Sequence, residues 1–389
     1  MFADLKSEIE HLSAKALFRQ LEVKSDGIDF ASNDYLGIAR NKEIAASIAT
    51  LWSELINQSN GEQFILGASG SRLVSGESFL YAQLEKKISE YHDVESALLF
   101  NSGYHLNVGL FAALAKPGDT IVYDEQCHAS LIQGIKLSGV TTRRFRHNNL
   151  NHLRQKLIKS DVNSQAQIYV VIESIYSMEG SAAPLREILE IVEEFGARLI
   201  IDEAHALGVV GRKGAGLVSH LGLQDRVFAR VVTYGKAFGL AGAALLGPEL
   251  LKKIMINKSK PFIYTTALPI VQLIGLIQIY DYMLTNIEVL QKKLNENIEF
   301  FRKQMSTKLA GRQIDEVPEL LPSEHPIQVL IYGNSQAVLE QSQNLKSKGF
   351  TVAAMRPPTV PKGTDRLRIC LHVHNTKQQI QQLVEHIKI

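Results

Sequence analysis

Ile200-Ile201-Asp202-Glu203-Ala204-His205 and Val231-Val232-Thr233-Tyr234-Gly235-Lys236-Ala237-Phe238-Gly239 are the two stretches whose reading decides the fold. Each is a short β-branched run that stops at polar residues, the pattern of a buried parallel strand delivering chemistry at its C-terminal end. One run presents an acid and a histidine, the other a hydroxyl, two glycines and a lysine. Singly, a lysine after glycine reads as a solvated loop residue, and an aspartate closing a strand as a helix cap. In the order strand–Asp–x–x–His and then strand–Thr–x–x–Lys they fit one chemistry. A lysine forms an imine with an aldehyde, and a carboxylate holds a pyridinium nitrogen protonated. The cofactor with that aldehyde and that ring is pyridoxal 5′-phosphate.

Outward from these runs, strand-like and helix-like patterns alternate, which predicts a mostly parallel sheet covered by helices. Leu80, Leu84, Ile88 and Tyr91 mark one helix face, and Ala97-Leu98-Leu99-Phe100 reads as a strand ending at Asn101-Ser102-Gly103. Thr120–Tyr123 and Ile168–Ile172 are further strands. Pro184 opens a helix whose core face is Leu185, Ile188, Leu189, Val192 and Phe195, and Gly196 closes it. Beyond about residue 285 the pattern changes. A charged helical stretch over Val289–Leu309, strands at Ile327–Tyr332, Phe350–Met355 and Leu367–Leu371, and a terminal helix from Thr376 form a small α+β module. The expected division is an N-terminal helical segment over 1–40, a large cofactor-binding domain over 41–285 and a small C-terminal domain over 286–389.

The 389 residues suffice for a large domain plus a smaller one, and 42 Lys and Arg against 40 Asp and Glu give no general case for nucleic acid or an anionic membrane. Cys127 and Cys370 stand far apart without metal-ligand spacing, so no metal site or disulfide framework is expected and a reducing cytoplasm fits. The uncharged stretch Pro261–Tyr280 has the length of a bilayer span, but its two prolines, two threonines and two glutamines predict a buried loop leading into a core helix.

Gly67-Ala68-Ser69-Gly70-Ser71-Arg72 and Asn101-Ser102-Gly103-Tyr104 offer backbone N–H groups to a phosphate, and Gly103-Tyr104 is better placed, between a strand and an amphipathic helix. His128 follows a strand in the same way. On its own it reads as a loop histidine; its functional reading is an aromatic plate against the cofactor ring. No strand is followed by Gly-x-Gly-x-x-Gly with an acid about 20 residues on, which sets a dinucleotide-binding fold aside. The basic cluster Arg143-Arg144-Phe145-Arg146-His147 reads as a solvated face.

Further motifs run nearly end to end: Ser32-Asn33-Asp34-Tyr35-Leu36-Gly37, His128-Ala129-Ser130, Glu173-Ser174-x-x-Ser177-Met178-x-Gly180, Asp202-Glu203-Ala204-His205, Tyr264-Thr265-Thr266-Ala267-Leu268-Pro269 and Arg356-Pro357-Pro358-Thr359-Val360-Pro361. On them the chain resembles the α-oxoamine synthase family of fold-type I pyridoxal phosphate enzymes. The resemblance implies an α/β transferase fold with a small α+β C-terminal domain, a homodimer, and a decarboxylative condensation of an amino acid with an acyl thioester. It implies Lys236 as imine anchor and base, Asp202 on the pyridine nitrogen, and His128 stacked on the ring, the three catalytic residues. It places His205 and Ser177 near the phenolic oxygen and Gly103, Tyr104 and Thr233 around the phosphate, with Thr265 and Thr266 reaching a neighbouring subunit's phosphate. Arg368 and Asn33 would hold the amino-acid carboxylate, and Arg19 and Thr359 match substrate-contact positions. The Arg356–Pro361 run resembles one branch of the family, which implies L-alanine with pimeloyl-CoA or pimeloyl-acyl carrier protein. Glycine with acetyl- or succinyl-CoA, serine with a long acyl chain, and an α-hydroxyketone-forming pair are the sister activities. Glu77 and Tyr81 depart from the family pattern, near the expected thioester entrance.

Overall fold

The computed structural model describes residues 2–15, 17–18, 20–21, 27–59, 66–160, 166–310 and 318–389. The chain forms two compact units: residues 36–176 with 182–291, and residues 1–35 with 177–181 and 292–389.

The larger unit is built on a seven-stranded sheet in the order Ser96–Phe100, Ala243–Gly247, Ala229–Thr233, Arg198–Asp202, Ile168–Glu173, Thr120–Asp124, Thr141–Phe145. Ala243–Gly247 runs antiparallel to both neighbours, and the remaining pairings are parallel. The six other strands therefore point the same way, and Phe100, Asp124, Phe145, Glu173, Asp202 and Thr233 all end on one edge. Alternate residues of each strand feed opposite faces. Ile121, Val171, Ile200 and Val231 pack with Leu106, Leu110, Leu131 and Ile135 of the helices Gly103–Leu114 and Ala129–Leu137. Val122, Val170, Ile172, Leu199 and Ile201 pack with Leu153, Leu157, Ile188, Leu189 and Val192 on the other side. A sheet covered on both faces needs the near-continuous apolar strands that the sequence shows. Gly196 takes φ +60° just past the helix Leu185–Glu194, the left-handed position that glycine fills without strain.

Two strands lack the expected signature. Thr141–Phe145 sits at the sheet edge with only Phe145 buried, so the basic cluster is in part an exposed edge strand. Ala243–Gly247 is too small-residued and too close to the Lys236 turn to stand out.

The smaller unit holds an antiparallel sheet in the order Ala353–Met355, Arg366–Cys370, Ile327–Ile331, Glu319–Leu320. The single strand expected over Phe350–Met355 is two. Phe350–Thr351 pairs in parallel with Ile28–Asp29, while Ala353–Met355 joins the antiparallel sheet, with Val352 as the switch. The charged helix expected from Val289 begins earlier. One helix runs from Ile270, directly after Pro269, to Leu309, because no proline interrupts residues 270–309. Among the described residues it is the helix long and apolar enough by length and composition to cross a membrane, yet half of its apolar window is buried in the protein. Leu273, Leu276, Tyr280 and Met283 are fully enclosed, as in the core helix expected after the Pro261–Pro269 segment.

Candidate active site

The site in the larger unit grows from strand ends. At the close of Arg198–Asp202 the Asp202 carboxylate is buried; Oδ1 accepts the Ala204 N–H at 2.9 Å and Oδ2 an amide N–H of Asn107 at 2.8 Å. His205, three residues on, is also buried. One strand over, Thr233 ends its run and Lys236 Nζ donates to Thr233 Oγ1 at 3.2 Å. The turn carrying Lys236 is closed by its own backbone. Tyr234 N–H donates to Gly242 O and Leu240 N–H to Tyr234 O, each at 3.0 Å, and Gly239 N–H donates to Lys236 O at 2.9 Å. The turn also requires a glycine at 239, where φ is +68° and a Cβ would stand 2.4 Å from Ala39 N.

Beside Thr233 lies the N-terminus of the helix Gly103–Leu114, capped by Ser102 Oγ, which accepts the His105 N–H. The first helical N–H groups have no intrahelical acceptor and form an anion-binding terminus. Gly103 fits here for a steric reason: a Cβ would come within 2.4 Å of Thr233 Cγ2. Tyr104 is exposed on the next position. Thr265 is half-buried and Thr266 exposed; the Thr266 carbonyl accepts the Asn101 amide at 2.7 Å.

His128 caps the helix Ala129–Leu137 and leaves its ring exposed at the same sheet edge. Asp124, fully buried, holds the preceding loop by accepting the N–H groups of Gln126 at 2.8 Å and Asn148 at 2.9 Å, and the His128 N–H donates to Glu173 at 2.5 Å. Desolvation holds the His128 imidazole below its ordinary range, with Asp202 opposing and Lys236 reinforcing the shift. The donor set of this unit fits a phosphorylated pyridine aldehyde: a strand-end amine, an enclosed carboxylate, an exposed aromatic plate and a glycine-lined helix terminus.

The smaller unit holds a buried cation of its own. Arg368 is 3% exposed. Its Nε donates to the Ser177 carbonyl at 2.6 Å, Nη1 to Cys370 Sγ at 3.0 Å, and Nη2 to Asn33 Oδ1 at 2.9 Å and to Tyr35 Oη at 3.4 Å. Burial pushes both the Tyr35 phenol and the Cys370 thiol up, against the pull of Arg368, so these partners stay neutral. None of the described carboxylates pairs with Arg368. The Ser177 side chain is buried in the same unit. Thr359 is exposed on the turn that its N–H closes onto Arg356 O at 3.0 Å, after a cis Pro357–Pro358 bond. Arg19 lies outside the described residues.

Glu77 and Tyr81 are tied to one arginine in the larger unit. Arg72 donates to Glu77 at 2.7 Å and to Glu85 at 2.5 Å, and its guanidinium lies 3.9 Å from the centre of the Tyr81 ring. Asn107, Tyr35 and Cys370 carry no sequence signal of their own. Asn107 and Cys370 sit inside apolar stretches where a helix or strand pattern already accounts for the position, and Tyr35 stands in the Ser32–Gly37 motif, which assigns it no role.

Strand ends, helix terminus and lysine turn together define a fold-type I enzyme built around a phosphorylated cofactor. The chain belongs to the family described as aminotransferase class I and II, whose model matches residues 25–387, and it is a pyridoxal-phosphate-dependent acyltransferase of the α-oxoamine synthase type. It is 35% identical over 397 residues to an 8-amino-7-oxononanoate synthase of Emericella nidulans, covering 98% of this chain and 94% of that one. A second relative of the same name, from Alkalilimnicola ehrlichii, is 35% identical over 91% of this chain and 86% of its own. Among solved structures, the 8-amino-7-oxononanoate synthase of Francisella tularensis superposes with a TM-score of 0.75 at 28% identity, over 94% of this chain and 97% of that one. A serine palmitoyltransferase of S. paucimobilis superposes with a TM-score of 0.86 at 23% identity, over 99% and 96%, a likeness of fold.

Proposed function

We propose that the protein condenses L-alanine with a pimeloyl thioester, releasing the thiol and CO2, to give 8-amino-7-oxononanoate for biotin synthesis. The observation that carries the amino-acid half is Arg368, a buried guanidinium whose partners among the described residues are all neutral. A buried cation without a counter-charge is costly, and a substrate carboxylate supplies that charge in the bidentate geometry guanidinium favours. Bound in the larger unit, pyridoxal phosphate would supply an electrophilic aldehyde and an electron-accepting ring. There Asp202 would keep the ring nitrogen protonated, His128 and His205 would orient the ring, and Gly103, Tyr104 and Thr233 would hold the phosphate. Lys236 would anchor the aldehyde and, as general base, would take the α-proton of the bound amino acid and later return it. Arg368 and Asn33 hold the carboxylate until CO2 leaves.

The acyl half draws its support from the names of the relatives and from the Arg356–Pro361 run. Thr359 faces solvent on a turn restricted by two prolines, suited to a thioester contact, and Arg19 is assigned to the remote carboxylate. In this reading the enzyme is a cytoplasmic homodimer in which Thr265 and Thr266 serve the partner's phosphate. The test is thiol release with alanine, glycine and serine against pimeloyl, acetyl, succinyl and palmitoyl thioesters. Alanine with the pimeloyl thioester is expected to turn over fastest. Faster turnover of glycine or serine with another acyl group overturns the reading in favour of a sister activity.

A further inference from the structure

Behind the exposed face of His128 runs a chain of hydrogen bonds that ends on Asp202. Asn107, on the helix Gly103–Leu114, is buried; its amide nitrogen lies 2.8 Å from Asp202 Oδ2 and 3.0 Å from Ser130 Oγ. Ser130 Oγ in turn lies 2.7 Å from His128 Nδ1, and the Ser130 N–H points at the same nitrogen from 3.2 Å. The two helices meet closely enough for this because residue 134 is glycine: a Cβ there would stand 2.1 Å from the Asn107 carbonyl oxygen.

The direction of every proton in the chain is set by its end. Asp202 can only accept, so the NH2 of Asn107, not its oxygen, must face the carboxylate. One amide proton goes to Asp202 and the other to Ser130 Oγ. Ser130 Oγ, accepting from Asn107, has its single proton left for His128 Nδ1. The Ser130 N–H points at the same nitrogen from the longer distance of 3.2 Å, so hydroxyl and N–H together hold it as an unprotonated acceptor. The ring proton is thereby confined to Nε2. The oxygen of the amide, Asn107 Oδ1, is buried with no partner among the described residues, so the side chain is not placed for its own satisfaction.

We propose that Asn107 and Ser130 are positioning residues that lock His128 as the neutral Nε2–H tautomer and tie its ring orientation to the Asp202 carboxylate. The consequence for catalysis rests on the function proposed above: a neutral plate stacks on a protonated pyridine ring without charge repulsion, and Asp202 is held toward that ring. The tautomer itself does not rest on that reading. A second protonation, at Nδ1, would oppose the Ser130 N–H and force the Ser130 hydroxyl proton away from the ring, so the network resists it.

The experiment is 15N–1H NMR of histidine-labelled protein, without and with added pyridoxal phosphate, with the His128 signal assigned by its loss in His128→Gln. The wild type is expected to show one neutral His128 species at neutral pH, with Nδ1 unprotonated and Nε2 carrying the proton. In folded Asn107→Leu and Ser130→Ala the Nδ1–H tautomer should appear alongside it. In the holoenzyme kcat should fall roughly tenfold while KM for the amino acid moves little, as expected when an orienting partner is removed. A wild-type His128 that is protonated on Nδ1 overturns the proposal even if both variants fail to fold. So does retention of the single Nε2–H form in both folded variants. An unexpected substrate preference in the thioester panel would overturn the proposed reaction and leave this tautomer result standing.

Discussion

Two arginines are almost equally buried, Arg230 at 1% and Arg368 at 3% exposure, and the protein treats them oppositely. Arg230, on the strand Ala229–Thr233, is closed on every side. Its Nε donates to Glu203 Oε2 at 2.7 Å and its Nη2 to the Ala215 carbonyl at 2.6 Å, while Glu203 Oε1 accepts the Val218 N–H at 3.0 Å. Even the backbone is shaped to the pair: Gly216 has φ +100°, and a Cβ there would stand 2.8 Å from the Glu203 carboxylate. Arg368 receives a carbonyl, a thiol, an amide and a phenol and, among the described residues, no carboxylate. A guanidinium completed by the fold is a structural part. One whose described partners are all neutral is, in the proposed reading, completed by an anionic ligand. Glu203 lies next to Asp202 in sequence, yet only the aspartate ends among groups that can serve a cofactor.

The sharpest break of this comparison concerns the lysine amine at the strand end of the larger unit. Lys236→Ala should reduce turnover to background while urea unfolding stays within about 1 kcal/mol of the wild type, because the side chain is only half-buried. Borohydride reduction of the wild type with bound cofactor should label Lys236, and a label on another lysine would remove it from the site.

The closed pair should respond in stability. Glu203→Gln leaves Arg230 buried against a neutral partner, and the expected loss is about 3–5 kcal/mol, read from denaturant midpoints. Replacing both residues together by apolar ones of similar volume should recover most of that loss. If the single substitution costs under about 1 kcal/mol, the pair is not the closed unit its geometry describes.

Arg368→Met should do the reverse, leaving stability unchanged or raising it, since the wild-type cation has no counter-charge among the described residues to lose. Its cost belongs in substrate binding: KM for the amino acid should rise by roughly 10- to 100-fold, the worth of about 1.5–3 kcal/mol for hydrogen bonds to a charged group. A large drop in stability with normal KM would make Arg368 a structural residue like Arg230.

Much of this division is legible in the sequence, because a buried strand announces itself by composition and its chemistry by the polar residues just past its last apolar position. Asp202, Lys236, His128 and Gly103 stand out in that way, and the apolar strands with their covering helices likewise. The residues that stay hidden have no local signal. Asn107 occupies a position within an apolar helix, and its meaning comes from Ser130 and Asp202, which the fold brings to it from 23 and 95 residues away. The helix Ile270–Leu309 reads as two pieces because its apolar first half and charged second half have different surroundings, not different backbones. Phe350–Met355 reads as one strand because the register change at Val352 leaves the β-pattern intact. A cation's missing partner is invisible until every neighbour is known.

The smallest effect tests the closed side of the comparison through its neighbour His92. This imidazole is fully enclosed, with Nδ1 3.2 Å from the Ala215 carbonyl and Nε2 3.3 Å from the Tyr280 hydroxyl, while Arg230 Nη1 reaches the His92 carbonyl at 3.4 Å. Nδ1 must donate, since its partner is a carbonyl, and Nε2 then accepts from Tyr280, so both nitrogens are satisfied in the neutral form. Burial, and then the charge of Arg230, hold the ring well below its ordinary value of 6.5. Above pH 6.5 neither the native nor the unfolded state binds the proton; below it the unfolded chain does while the native protein does not. Stability contributed by neutral His92 is therefore complete above pH 6.5 and is lost as the pH falls toward the native value, at up to about 1.4 kcal/mol per pH unit. His92→Gln keeps polar contacts but removes the titration, so its stability should fall less steeply than that of the wild type below pH 6.5, by about one proton's slope. Equal slopes would mean that His92 takes up its proton in the native state, and that the surroundings of Arg230 admit a second positive charge after all.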